Sequence, residues 1–200
     1  MPFKPIPLTL ESMEKPKLSS EAIAMEGATA EDILRLADRF EVDSLRLQFT
    51  DITGINKNVE VPQSQFAKAL AGDILFDGSS IEGFVRIEES DMLLIPDPNT
   101  AYIDPFFKIP TLTVFCDVLD PVTRDYFTRD PRWVAQKAET YLKGSGLADV
   151  SYWGPELEHF VFDSARFDQD QRSGYYFIDS DEGIWNSGAE RKLEGDLGQG

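Results

Sequence analysis

The sequence predicts an α+β protein built as two successive units, and three stretches carry that prediction. "TAEDILRLADRF" repeats its apolar residues at helical spacing, "VDSLRLQFT" alternates them, and "RDPRWVAQKAETYLKG" opens a new helix after the apolar run "TLTVFCDVL" has ended. A period near 3.6 marks a helix and a period of two a strand.

The first unit is expected over residues 29–125. Thr29 can cap a helix with Glu31 and Asp32 in its first turn, and Ile33, Leu36, Ala37 and Phe40 form its stripe. Next, Leu45, Leu47 and Phe49 face one way and Ser44, Arg46, Gln48 and Thr50 the other, as in a half-buried strand. A turn at Thr53-Gly54 leads to "NVEVP", and "QSQFAKALAG" reads as a helix closing near Gly72. Strands at "DMLLIP" and "TLTVFCDVL" complete the unit near Asp120. Residues 1–28 carry Pro and Lys and no sustained apolar core, so they read as a flexible extension that is neither signal peptide nor membrane span.

The second unit is expected over residues 126–200. Asp130 can cap its helix, Pro131 fits the first helical position, Val134, Ala138 and Leu142 form a stripe, and Gly144 ends it. A strand is expected in "YWGPELEHFVFDS" and another in "GYYFIDS", before a polar, Gly-rich close. So short a stretch seldom finishes a core of its own, and an incomplete domain is expected.

With 42% hydrophobic residues the 200-residue chain is globular in composition. Its 36 acids against 19 bases, net −17, argue against a nucleic-acid partner, which needs clustered Lys and Arg, and favour small cations. The same charge also serves solubility. The single cysteine, Cys116, excludes an internal disulfide framework and suits a reducing, cytoplasmic compartment; its apolar setting makes it a core thiol. His159 is the only histidine, so no Cys/His zinc set or Ser-His pair can form, and a metal site here would be built of oxygen.

Two acidic stretches follow from that. In "YWGPELEHFVFDS" a strand would put Glu156, Glu158, Phe160 and Phe162 on one face and Leu157, His159 and Val161 on the other, both largely apolar. Two carboxylates in a covered strand need a cation, which makes them candidate metal ligands; the other reading is a wet strand end behind Gly154-Pro155. In "LFDGSSIEGFVRIEESDM" the loop Asp77-Gly78-Ser79-Ser80 precedes Glu82, Glu88, Glu89 and Asp91, opposed only by Arg86. It lacks the spacing and the lysine of a phosphate loop, which leaves an Asp-Gly turn or a cation-holding acidic loop.

Taken together, "FDGSSIEGF", "EESDM", "PDPNT" and "GPELEHFVF" resemble glutamine synthetase of the bacterial type, from about Val42 to Gly188. The resemblance implies a β-grasp-like N-terminal domain followed by the truncated start of the catalytic α/β barrel. It implies a ligase that phosphorylates the glutamate side chain with ATP and lets ammonia displace the phosphate. It implies Mg2+ or Mn2+ on Glu156 and Glu158, and Asp77 with Ser80 binding ammonium, Asp77 also removing its proton. Partners would be ATP, glutamate, ammonium and other copies of the chain, a dodecamer by family, with sites shared between neighbours and no membrane involved. His159 stands where the family usually has Phe, and a packing role is expected for it. The remaining metal, substrate and nucleotide residues of the family lie in segments without counterpart here, so these 200 residues alone are expected to form no glutamine. Two other readings remain: a non-catalytic partner of synthetase rings, and a relative that ligates glutamate to another amine.

Overall fold

The computed structural model describes residues 26–84, 91–181 and 183–186. Most of the expected extension, 1–25, lies outside them. Residues 26–28 are tied down: the Gly27 amide donates to Asn99 Oδ1 at 2.7 Å, and Ala28 packs against the core. The chain divides into two compact units, 1–151 and 152–200.

In the first unit, helix α1 (Ala30–Arg39) starts on a capping box. The Thr29 hydroxyl accepts from the Asp32 amide, and the Asp32 carboxylate accepts from the Thr29 amide. Strand β1 (Ser44–Thr50) turns at Gly54, whose φ of 86° suits glycine, into β2 (Asn56–Pro62). A 3-10 turn at Gln63–Gln65 leads into the short helix α2 (Phe66–Leu70), and Gly72 follows at φ 75°. Then come β3 (Ile74–Asp77), β4 (Asp91–Pro96), the two-residue β5 (Tyr102–Ile103) and the long β6 (Thr111–Leu119).

The strands form one mixed sheet in the order β2-β1-β6-β4-β3, with β5 also paired to β6. Among the described strands of this sheet only β1 and β6 run parallel, Ser44 opposite Thr111, and the other pairs are antiparallel. This is a β-grasp arrangement: a hairpin, a crossing helix, and a last strand returning beside the first. The core follows from alternation, since Leu45, Leu47 and Phe49 of β1 meet Leu112, Val114, Cys116 and Val118 of β6, with Ile33, Ala37, Phe66 and Ala69 of the helices laid over them. Cys116 is buried in that core and its thiol is pushed up by burial, as expected for a packing residue.

Helix α3 (Pro131–Gly144) departs from expectation in one respect. Asp130 caps it, accepting from the Arg132 amide at 3.0 Å, and Pro131 holds the first position. Its apolar stripe, however, is not covered: Val134 and Ala138 are exposed and Leu142 is only half-buried. Polar residues attach this helix instead. Arg132 pairs with Asp97 and, at 3.1 Å, with Asp117, while Gln136 donates to Asp117 at 3.0 Å. Burial raises Asp117 more than Arg132 and Gln136 lower it; burial also acts on Asp97, but Asn99 and Arg132 outweigh it and hold that carboxyl below its ordinary value.

The second unit is a hairpin of β7 (Ser164–Gln169) and β8 (Gly174–Asp179), followed by a 3-10 turn at Ile184–Asn186. The expected strand around Glu156 does not form: residues 151–162 have no regular structure and are exposed. A strand needs a neighbour for its amides and carbonyls, and among the described residues β7 and β8 satisfy only each other. Strand pairing begins where a partner exists, as the Asp163 amide donates to Asp179 O at 3.0 Å.

No described helix is long and apolar enough to cross a membrane.

Candidate functional site

Asp77 ends β3 and caps the 3-10 turn Gly78–Ser80. Its Oδ1 accepts the Ser79 amide at 2.9 Å and the Ser79 hydroxyl at 2.6 Å. These bonds, the hydroxyl foremost, hold the carboxyl below its ordinary range, and the Ser80 hydroxyl acts in the same direction. Asp77 is therefore an anion at neutral pH. It is also exposed, as is Ser80, and the strand register sets Asp77 directly opposite another exposed carboxylate, Asp91. Like charges so placed repel, and a cation between them relieves the repulsion.

The loop that carries these residues is anchored at its far end. Phe84 is 1% exposed and packs against Phe49 and Phe127, with ring centroids 6.0 and 5.0 Å away. Gly83 precedes it at φ 76°, and a Cβ there would stand 2.0 Å from Ile52 Cδ1. The backbone angle requires glycine, while the exposed tip of the Ile52 side chain could swing aside for a Cβ. Neither anchor was foreseen from the sequence, although an aromatic residue after an I-x-G string is the kind of signal that could have marked one.

Glu156 and Glu158 stand exposed on the irregular segment. Their exposure agrees with the reading of wet acids, although not at a strand end. His159 is exposed as well, so the expected packing role is not seen. Among the described residues no group of three or more His, Cys, Asp or Glu side chains is arranged to hold a metal. A hard divalent cation takes six or more oxygen ligands, so the donor type of Glu156 and Glu158 fits such an ion while their number supplies only part of its shell. Glu82, five residues after Asp77 in sequence, is exposed; Arg86, Glu88 and Glu89 lie outside the described residues.

A cleft of about 480 Å³ opens elsewhere in the first unit, with Phe49, Thr50, Phe115, Cys116 and Arg132 among its lining. Its one cation, Arg132, is already engaged by Asp97 and Asp117, and its thiol is held protonated by burial.

Comparison with known proteins identifies the domains. The glutamine synthetase β-grasp domain model matches residues 41–121, and the glutamine synthetase catalytic domain model matches residues 128–195. A glutamine synthetase of Microchaete diplosiphon is 46% identical over 163 residues, covering 81% of this chain and 35% of that protein. One of Mycobacterium bovis is 43% identical over 177 residues, covering 88% and 37%. The solved glutamine synthetase of Plasmodium falciparum shares the fold, with a TM-score of 0.59 at 19% identity over 88% of this chain and 35% of that one. The chain thus spans about a third of the length of the curated relatives it matches. A β-grasp domain, an aspartate-bearing loop at its edge and the two matched domain models in succession make this chain a member of the glutamine synthetase family, corresponding to its amino-terminal domain and the opening of its catalytic domain.

Proposed function

We propose that this chain is the amino-terminal portion of a glutamate–ammonia ligase, an enzyme that spends ATP to make glutamine in the cytoplasm. The observation that carries this reading is the 46% identity to a curated glutamine synthetase across a stretch that includes the Asp77 loop. Asp77 and Ser80 would receive ammonium: a fixed carboxylate attracts the cation, and as an anion Asp77 can take its proton, leaving ammonia to attack. Glu156 and Glu158 would contribute to holding Mg2+ or Mn2+, which when bound neutralises charge on the transferred phosphoryl group. Copies of the complete ligase would assemble as a ring, a dodecamer, placing the Asp77 loop of one subunit beside the catalytic domain of the next.

The test is ATP-dependent glutamine formation by the complete ligase carrying this segment, with manganese calorimetry on the Glu156→Ala and Glu158→Ala variants. Turnover with ammonia, and weaker manganese binding in both variants, is expected. Absence of turnover, or unchanged manganese affinity in both variants, would count against the corresponding assignment.

A further inference from the structure

We infer that Ser79 is a positioning residue for Asp77: by placing two donors on Oδ1 it fixes the plane of the carboxylate and presents Oδ2 to the incoming cation. This rests on the ammonium reading of Asp77 given above. The Ser79 amide at 2.9 Å and its hydroxyl at 2.6 Å both end on Oδ1, and the Ser80 hydroxyl is a weaker further influence on the carboxylate. A carboxylate held at one oxygen by two donors from the same residue cannot swing freely about its last torsion, so its second oxygen keeps a direction. Among the described residues no Lys or Arg forms an ion pair with Asp77. Two other capped aspartates of the first unit are spent, since Asp51 meets Lys57 through Oδ2 and Asp97 meets Arg132 through Oδ2, whereas Asp120 shares the open condition of Asp77, with the Val122 and Thr123 amides on Oδ1 at 2.8 Å.

The bland alternative is that Ser79 merely closes a turn. The second unit provides its control, since Asp170 Oδ1 takes the Ser173 amide at 2.7 Å and hydroxyl at 3.1 Å in an exposed hairpin turn. If the Ser79 hydroxyl matters only as turn chemistry, removing either hydroxyl should have the same small consequence. If it orients Asp77, only one removal should be felt by ammonium.

In the complete ligase carrying this segment, KM for ammonium and for ATP would be measured for Ser79→Ala, Ser79→Gly, Ser79→Thr, Ser173→Ala and Asp77→Asn. Loss of a hydrogen bond to a charged group predicts an ammonium KM raised about tenfold in Ser79→Ala and Ser79→Gly. KM for ATP should stay level, Ser79→Thr should recover most of the loss through its hydroxyl, and Ser173→Ala should resemble the unmodified protein. An unchanged ammonium KM in both hydroxyl-less variants, alongside a raised one in Asp77→Asn, overturns the role of Ser79 and leaves that of Asp77 standing. An equal rise in Ser173→Ala, or no recovery with threonine, likewise overturns it. If Asp77→Asn itself leaves the ammonium KM unmoved, the ammonium reading fails and the inference falls with it.

Discussion

Asp51 and Asp77 begin from the same local chemistry and end in opposite conditions. Each accepts the amide of the residue two places on at 2.9 Å and its hydroxyl at 2.6 Å, Thr53 in one case and Ser79 in the other. Asp51 then goes further: its Oδ1 also takes the Ile55 amide at 3.0 Å, its Oδ2 lies 3.5 Å from Lys57 Nζ, and it is 1% exposed. Asp77 stays exposed, without a cationic partner among the described residues, and faces Asp91. A carboxylate whose bonding capacity is used up within the fold belongs to the fold, and one left with capacity toward solvent is available to a ligand. Local sequence does not separate them, because "DIT" and "DGS" both make such turns.

The largest expected effect on stability is at the anchor of the Asp77 loop. Phe84→Ala should cost about 3–5 kcal/mol by emptying a buried aromatic site, read as a shift of the denaturation midpoint. A loss below 1 kcal/mol would mean that the loop is held by something else.

Next comes the polar attachment of α3. Arg132→Met removes the partner of Asp97 and Asp117, but 28% of the Arg132 side chain is exposed, so about 2 kcal/mol is expected rather than the full cost of breaking a buried pair. Denaturant unfolding measures it, and no change would return this pairing to a surface contact.

Smaller still is Asp51→Asn, which should lower Tm by several degrees near neutral pH. The Thr53 hydroxyl, ahead of the amides of Ile55 and Thr53 and the charge of Lys57, holds the Asp51 carboxyl below its ordinary value of 3.8 despite burial. A carboxyl depressed in the folded state stabilises fully above the unfolded value and loses that contribution as pH falls through the folded one. The Tm gap between the two proteins should therefore persist from pH 7 to about pH 5 and narrow below pH 4. A gap that widened on acidification would reverse the sign of this argument.

Much of the first unit was legible in sequence because its signals are local. Thr29 with Asp32 and the alternation of Leu45, Leu47 and Phe49 each act within a few residues and lie where expected, as does the Asp130-Pro131 helix start that the sequence assigned to the second unit. The short strand β3 was missed, since "ILFD" is too brief to show a period and depends on pairing with β4. The opposition of Asp77 and Asp91 was hidden for the same reason: register is a property of two strands. Around Glu156 the local pattern was strand-like, but strand formation requires a neighbour that the described residues do not provide. The stripe of α3 was equally readable and equally uncovered. Site residues were named from a resemblance to a family, and the geometry adds what no motif holds, which oxygen of Asp77 is committed and what pins its loop.

The most direct test of the account compares Asp77→Ala with Asp51→Ala in the complete ligase carrying this segment, measuring Tm and ammonia kinetics on the same preparations. The account predicts that Asp77→Ala keeps Tm within a degree or two while kcat/KM for ammonia falls on the order of a hundredfold, the scale of a lost acid–base group. Asp51→Ala should show the inverse, a lowered Tm with ammonia kinetics unchanged in the folded fraction. A lowered Tm with unaltered ammonia kinetics in Asp77→Ala would contradict it, and would make Asp77 a turn residue like its buried counterpart.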